Sequence, residues 1–310
     1  MTGTADQDSV SVVIAAYDAG ELILATLASI RSQTHAAREI IVVDDGSPDN
    51  TAELVRSLGS DVGYIRQDHI GQPAARNAGI RAATGHLIAF CDADDIWKPR
   101  KLEAQVGTLH SQGCAWVACD ADWMDYDGNP IEVSMPPMRQ GDVLEPLLLG
   151  NFIKSATPLV RRDVFQEIGY FNEAPEARIG EDWDMWLRIA ARYPLGVVRE
   201  RLATIRLHTG SMLQRTPLGE RAQGLRDVVE RAVASQPERL GHLKSRALAS
   251  IWHGAAVELI RAERYEDAHS YFRQELRCHP WSPAALAFLL LYQLGPKAAS
   301  TVLKFRRMFQ

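Results

Sequence analysis

Short runs of β-branched and small apolar residues alternate with segments of helical spacing along the first third of the chain. Val10 to Ala16 is continuous enough in apolar character for a buried strand. After the turn Tyr17 to Gly20, the segment Glu21 to Ser32 sets Leu22, Ala25, Leu27, Ser29 and Ile30 at helical intervals. A second strand, Glu39 to Val43, runs into Asp44-Asp45-Gly46-Ser47-Pro48-Asp49. There Ser47 is expected to cap a helix with Pro48 at its first position and Leu54, Val55 and Leu58 on its apolar stripe. Val62 to Arg66 is a third strand, and Gly71-Gln72-Pro73 opens a helix through Ile80 that Thr84-Gly85 ends. Leu87 to Cys91 is a fourth strand, with Asp92, Asp94 and Asp95 at its C-terminal end. Strand and helix in strict alternation predict an α/β fold built on a doubly wound, mostly parallel sheet.

Past Lys98 the pattern is less regular. A helix to about His110 precedes a strand at Ala115 to Asp120, and short helices are expected at Asp142 to Leu149 and Arg162 to Gly169. Tyr170 to Gly180 reads as an irregular loop. Trp183, Trp186, Leu187 and Ala190 then recur at i, i+3, i+4 and i+7, which makes an amphipathic helix with a buried apolar face. Gly196 to Arg199 and Leu202 to Leu207 are expected as two strands. From Leu218 the texture is helical throughout, with long patterns at Leu243 to Ala262 and Arg264 to Pro280, the second like one tetratricopeptide-type helix. One such unit cannot bury its own face, so the expectation is a domain over 1–215 and a helical appendage over 216–310.

Candidate chemistry gathers where the pattern places it. Parallel sheets bind ligands outside the carboxyl ends of their strands, and three acids crowded there repel unless a cation sits among them. Such hard oxygen donors suit Mg²⁺ or Mn²⁺ carrying a substrate phosphate. A lone D-x-D is also what a strand ending in a solvated acidic turn looks like, but the flanking segments fit the same chemistry. No G-x-G-x-x-G follows the first strand, so the dinucleotide fingerprint is missing. Glu181 and Asp182 open the amphipathic helix, where its dipole favours negative charge; they are either caps or reactive carboxylates. Asp184 and Arg188, one turn apart, are expected as a surface pair of little worth. His208 follows a strand as a structural residue or a metal ligand.

Composition narrows the picture. With 46% hydrophobic and 24% charged residues the chain is an ordinary globular protein, and its formal net charge of −5 argues against a nucleic-acid partner. Cys91, Cys114, Cys119 and Cys278 lack paired metal-ligand spacing and read as reduced thiols of a cytoplasmic protein. Met1 to Ser9 is polar and acidic, unlike a signal peptide, and no apolar run is as long as a membrane span. The last fifteen residues carry Lys297, Lys304, Arg306 and Arg307 and no acid. An apolar helix with a basic tail is either packed and solvated or docked on the inner face of the cytoplasmic membrane.

Five stretches in order over about two hundred residues resemble the inverting family-two glycosyltransferases, a family of GT-A fold. They are Ser11 to Asp18, Ile41 to Ser47, Ala74 to Gly79, Phe90 to Asp95 and Gly180 to Arg188; Ala15 stands where many relatives carry Pro or Thr. The resemblance ends near Ser211. It implies a nucleoside pocket lined by Ala15, Tyr17 and Asp18, with Asp45, joined by Asp44, reading the base or ribose. It further implies that Arg76 and Asn77 line the donor site, that Asp92 and Ala93 contact the ribose or metal, and that Asp94 is the main ligand of Mn²⁺ or Mg²⁺ with Asp95 beside it. Asp182 matches the catalytic base, with Glu181 as its rival, and His208 lies where some relatives add a metal or diphosphate contact. The activity implied is transfer from a nucleoside-diphosphate sugar, a UDP-sugar, to a hydroxyl of a glycan or glycolipid in surface polysaccharide synthesis. The alternatives are a polyprenyl-phosphate sugar synthase and an inactive sugar- or partner-binding module. A nucleotidylyltransferase would need a basic, Gly-rich loop that Ala16 to Glu21 is not.

Overall fold

The computed structural model describes residues 7–133, 135, 137–208, 210 and 215–293. In chain order the elements as far as Arg206 are β1 (Val10–Ala16), α1 (Leu22–Arg31), β2 (Glu39–Asp44), α2 (Thr51–Ser57), β3 (Val62–Arg66), α3 (Gln72–Ala82), β4 (Leu87–Asp92), β5 (Ile96–Trp97), α4 (Lys101–Gln112), β6 (Trp116–Met124), β7 (Pro130–Ile131), α5 (Leu144–Leu148), β8 (Leu159–Arg161), α6 (Arg162–Ile168), α7 (Glu181–Ala190) and β9 (Leu195–Arg206). Five helices follow: α8 (Leu218–Ser235), α9 (Pro237–Leu240), α10 (Lys244–Arg261), α11 (Tyr265–Cys278) and α12 (Pro283–Gln293). The chain divides into two compact units, 1–144 with 151–215, and 145–150 with 216–310.

The first unit carries one mixed sheet of order β3-β2-β1-β4-β8-β6-β9-β5, with β7 paired to β6. Strands β1 to β4 are parallel to one another, while β8 runs antiparallel to both β4 and β6. The register pairs Ala16 with Asp44 and Ala15 with Asp92, so the acidic ends of β2 and β4 flank the end of β1. Parallel order runs through the apolar, helix-linked first half and returns where β6 pairs with β9. The three-residue β8 enters against the grain and carries too little pattern to reveal its direction.

Four local expectations change. Helix α2 starts at Thr51 rather than Pro48, because Ser47 accepts a hydrogen bond from the Asp18 N–H instead of capping. Asp49 spends one oxygen on Gly20 N–H and the other on Thr51 N–H, so this turn clasps the loop after β1. The two expected strands near 200 are one, β9: its register against β6 skips Arg199 and Glu200, which bulge outward with their charges. Third, the short strand β5 was not legible; it pairs with β9, and its buried Trp97 donates Nε1–H to the Ala156 carbonyl at 3.1 Å. Finally, Asp184 is buried rather than on the surface. Arg188 reaches it at 3.0 Å and also donates to the carbonyls of Ile168 and Tyr170, pinning α7 to the segment after α6.

Helix α7 buries Trp183, Trp186, Leu187 and Ala190 as its spacing predicts. Trp186 joins Phe90, Phe171 and Trp116, with ring centroids about 6 Å apart, and so fixes the helix against the sheet. Helix α3 lies close on β1 because residue 79 is glycine: a Cβ there would stand 2.3 Å from Val13 Cγ1. In the helical unit, Phe272 and Phe288 pack at 4.6 Å among Ala256, Leu259, Ala268 and Ala285. Among the described residues no helix is long and apolar enough to cross a membrane. The basic residues Lys297, Lys304, Arg306 and Arg307 lie outside the described residues.

Candidate active site

At the ends of β1 and β2 the acids are spent on the chain itself. Asp44 is fully buried and accepts hydrogen bonds from the Tyr64 hydroxyl, Arg66 Nη1 at 2.7 Å and Ser47 N–H at 2.7 Å. Burial pushes its carboxyl up, but these donors outweigh it and hold the group below the usual range. Asp45 accepts from Gln67 Nε2 at 2.7 Å and from the N–H groups of Ile70 and Gly71 at 2.9 Å, so it shapes the loop that opens α3. The same loop carries His69, bonded to the Asp45 carbonyl at 3.1 Å and stacked on the Tyr17 ring at 4.1 Å. Tyr17 is half-exposed, and Asp18, held at φ 53°, faces Arg215 at 3.7 Å. Ala15 lies beside Asp92 in register. Asp44 and Asp45, expected to read a nucleoside, serve first as braces of its would-be pocket.

The end of β4 is built differently. Asp92 Oδ1 accepts from Gln72 Nε2 and Arg76 Nη2, both at 3.0 Å, and Oδ2 from the Ser155 hydroxyl at 2.5 Å. Gln72 and Arg76 are one turn apart on α3, so one helix face presents both donors. Asp94 Oδ2 lies 2.9 Å from His208 Nε2. Burial and the charge of Asp92 raise the Asp94 carboxyl, and His208 pulls the other way. Asp95 turns inward: it is buried, accepts Arg206 N–H at 2.9 Å, and burial with the neighbouring acids drives its carboxyl well up. Arg206 also donates to the carbonyls of Asp94, Asp125 and Tyr126, and the Ala93 carbonyl accepts the Thr26 hydroxyl at 2.9 Å. Among the described residues no three His, Cys, Asp or Glu side chains cluster as a metal cage. Of the sequence set Asp92, Asp94, Asp95 and His208, Asp94 and His208 face one another as donors. Asp92 is engaged by three side chains, and Asp95 is part of the core.

Across from these groups stands the start of α7. Arg76, almost wholly buried, bonds Glu181 Oε1 at 2.6 Å while holding Asp92, so one guanidinium joins the two carboxylates. Burial pushes Glu181 up to about 7 despite Arg76, with Asp182 adding to the rise. Asp182 is less enclosed by solvent exposure; its Oδ2 accepts Asn151 Nδ2 at 3.3 Å and its Oδ1 the Trp183 N–H at 2.6 Å. Burial raises its carboxyl as well, and Arg76, the Trp183 N–H and Lys154 restrain it. Asn77 is buried and clamps Phe171 through both N–H and carbonyl, with Glu173 at 2.7 Å, and so braces α3. Asn151, Lys154 and Ser155 were not singled out from sequence; their only signal is polar character between the apolar runs at Leu147 and Leu159.

A model of the family described as glycosyl transferase family 2 matches residues 11–169, just over half of the chain. The chain belongs to glycosyl transferase family 2. An uncharacterized glycosyltransferase of Rickettsia bellii is 30% identical to this family-2 chain over 201 residues, 64% of the chain and 29% of the relative. The chain thus spans under a third of that relative's length. An uncharacterized glycosyltransferase of Nostoc sp. is 28% identical over 278 residues, covering 86% of the chain and 84% of its own length. The crystal structure of S. aureus TarS 1-349 in complex with UDP-GlcNAc superposes with a TM-score of 0.65 over 97% of this chain and 92% of that one, at 16% identity. The likeness is one of fold, and it covers the mixed sheet of GT-A type together with the C-terminal helices.

Proposed function

We propose that the chain transfers a sugar from a UDP-sugar to a hydroxyl of a glycan or glycolipid, in a single displacement that inverts the anomeric carbon. The observation that carries the reading is the run Asp92–Arg76–Glu181, which ties the acid end of β4 to the first turn of α7 and so couples Asp94 and His208 to Asp182. A carboxylate and an imidazole nitrogen 2.9 Å apart fit a hard divalent cation that keeps positions for phosphate oxygens and water. Asp94 and His208 would hold Mg²⁺ or Mn²⁺, whose charge would offset that of the departing diphosphate. Asp182 takes the acceptor proton as the hydroxyl attacks, and Asn151 orients its carboxylate. Inversion needs one such carboxylate; a retaining route would need a second as nucleophile. Ser155, Gln72 and Arg76 keep Asp92 fixed beside the end of β1, where Tyr17 and His69 offer the base a stacking surface. The UDP-GlcNAc bound to TarS supports a UDP-sugar as donor.

Calorimetric titration of UDP with and without Mn²⁺ tests the assignment. The parent binds UDP in a metal-dependent way, and Asp94→Ala loses both that dependence and transfer. Equal binding by parent and variant in both conditions sinks the Asp94 role.

A further inference from the structure

The segment 151–157, between α5 and β8, reaches the site with three side chains. Asn151 donates to Asp182 and Ser155 to Asp92, while Lys154 stands between them in the chain and does neither. Among the described residues Lys154 Nζ has no hydrogen bond and no carboxylate within ion-pair distance; it faces the Trp123 indole, 5.8 Å from the ring centroid. It is partly buried, and lost hydration pulls its pKa down while the charge of Asp182 opposes the fall. An ammonium taken from water without an anion is costly, and an indole face at that distance offsets little of the loss. The anion is therefore to be brought by a substrate.

Two substrate anions come near such a site. The donor diphosphate belongs with Asp94 and His208, which Lys154 does not touch, whereas Asn151 on the same short segment holds Asp182. That places the ammonium on the acceptor side of the base. Building on the glycosyl-transfer reading, we infer that Lys154, the Trp123 indole and Asp182 form an acceptor subsite for an anionic sugar. The sugar's apolar face lies along the indole, its carboxylate or phosphate meets the ammonium, and its hydroxyl is presented to Asp182. A charge-assisted hydrogen bond of this kind is worth roughly ten- to a hundredfold in affinity.

The test uses the full chain, a set of UDP-sugars and two acceptor pairs: p-nitrophenyl glucuronide against the glucoside, and the 6-phosphoglucoside against the glucoside. The parent should prefer the anionic member of one pair at least about tenfold in kcat/KM, and the responding pair tells carboxylate from phosphate. Lys154→Met, which keeps the stem and removes the charge, should erase that preference through KM rather than kcat, and Lys154→Arg should retain most of it. The UDP Kd of Lys154→Met should match the parent's, and its thermal midpoint should be no lower, since the uncompensated ammonium is gone. The inference is overturned if neither pair shows a preference, if the preference survives in Lys154→Met, or if that variant binds UDP more weakly, which would assign the ammonium to the diphosphate. A parent that neither binds UDP nor cleaves any UDP-sugar refutes the glycosyl-transfer reading itself, a different trace from these three.

Discussion

Strands β2 and β4 both pair with β1 and both run out into clustered acids, yet the two acidic ends are employed differently. At β2, Asp44 and Asp45 have their oxygens filled by backbone N–H groups, Tyr64, Arg66 and Gln67, and Asp44 ionises more easily than a free aspartate. At β4 and the facing turn of α7, Asp94, Glu181 and Asp182 are all harder to ionise than free carboxyls, because burial outruns the donors they have. Sequence places a D-D pair in each spot. Donor supply separates the pair that builds a loop from the carboxyls that are left short of partners.

The comparison breaks most visibly at the base. Asp182→Asn keeps the size and the hydrogen bond from Asn151, and should lower transfer by roughly two to four orders of magnitude with UDP binding preserved. Glu181→Gln, which still accepts from Arg76, should remain within about tenfold of the parent, well short of what loss of general-base catalysis costs. If Glu181→Gln is the dead variant and Asp182→Asn turns over normally, the base moves one residue back.

A pH series separates the two ends by sign. A carboxyl whose pKa rises on folding binds its proton more tightly in the native state, so its contribution to stability declines as pH rises between the unfolded and folded values. For Glu181 that window runs from 4.5 to about 7. Asp44, lowered on folding, contributes stability above its ordinary range and loses it on acidification. The thermal midpoint of the parent, taken relative to Glu181→Gln, should therefore fall from pH 4.5 to 7. A difference that stays flat across that window removes Glu181 from the raised set. The transfer rate runs the opposite way, rising with pH as Asp182 ionises at a pH above the free-aspartate value.

The smallest effect on turnover is expected at the bracing end. Asp45→Ala leaves the Ile70 and Gly71 N–H groups without their acceptor and should cost about 1–3 kcal/mol in urea unfolding. Its loss in kcat should stay below that of Asp182→Asn. A variant as stable as the parent would mean that the 67–71 loop does not depend on this carboxylate.

What was legible in the sequence follows from periodicity. The parallel half of the sheet announced itself through apolar runs, and the indole stripe of α7 through its i, i+3, i+4 spacing, so the acids at their ends could be named in advance. The orientation of Asn77 and Asp95 was not legible, because adjacency in a motif says nothing about which way a side chain turns, and each turns inward to a backbone partner. Lys154 and Ser155 were missed because a non-repetitive segment has no period; its value is visible only when Asp92 and Asp182 are seen on either side of it. The direction of β8 was hidden by its length of three residues.

Position 79 makes the site a matter of mechanical tolerance. The eleven residues of α3 are seated on β1 by the absence of a single methyl group, 2.3 Å being all that separates the would-be Cβ from Val13. Arg76 lies one turn before this seat and Gln72 two, and together they set where the Asp92 carboxylate stands. Helix and strand therefore work as a gauge block: the sheet dimensions the polar end of the helix. Glycine at 79 serves through its thinness rather than its flexibility. A shim as thin as one carbon, inserted far from every reacting atom, would be read out at the other end as a misaligned guanidinium between two acids.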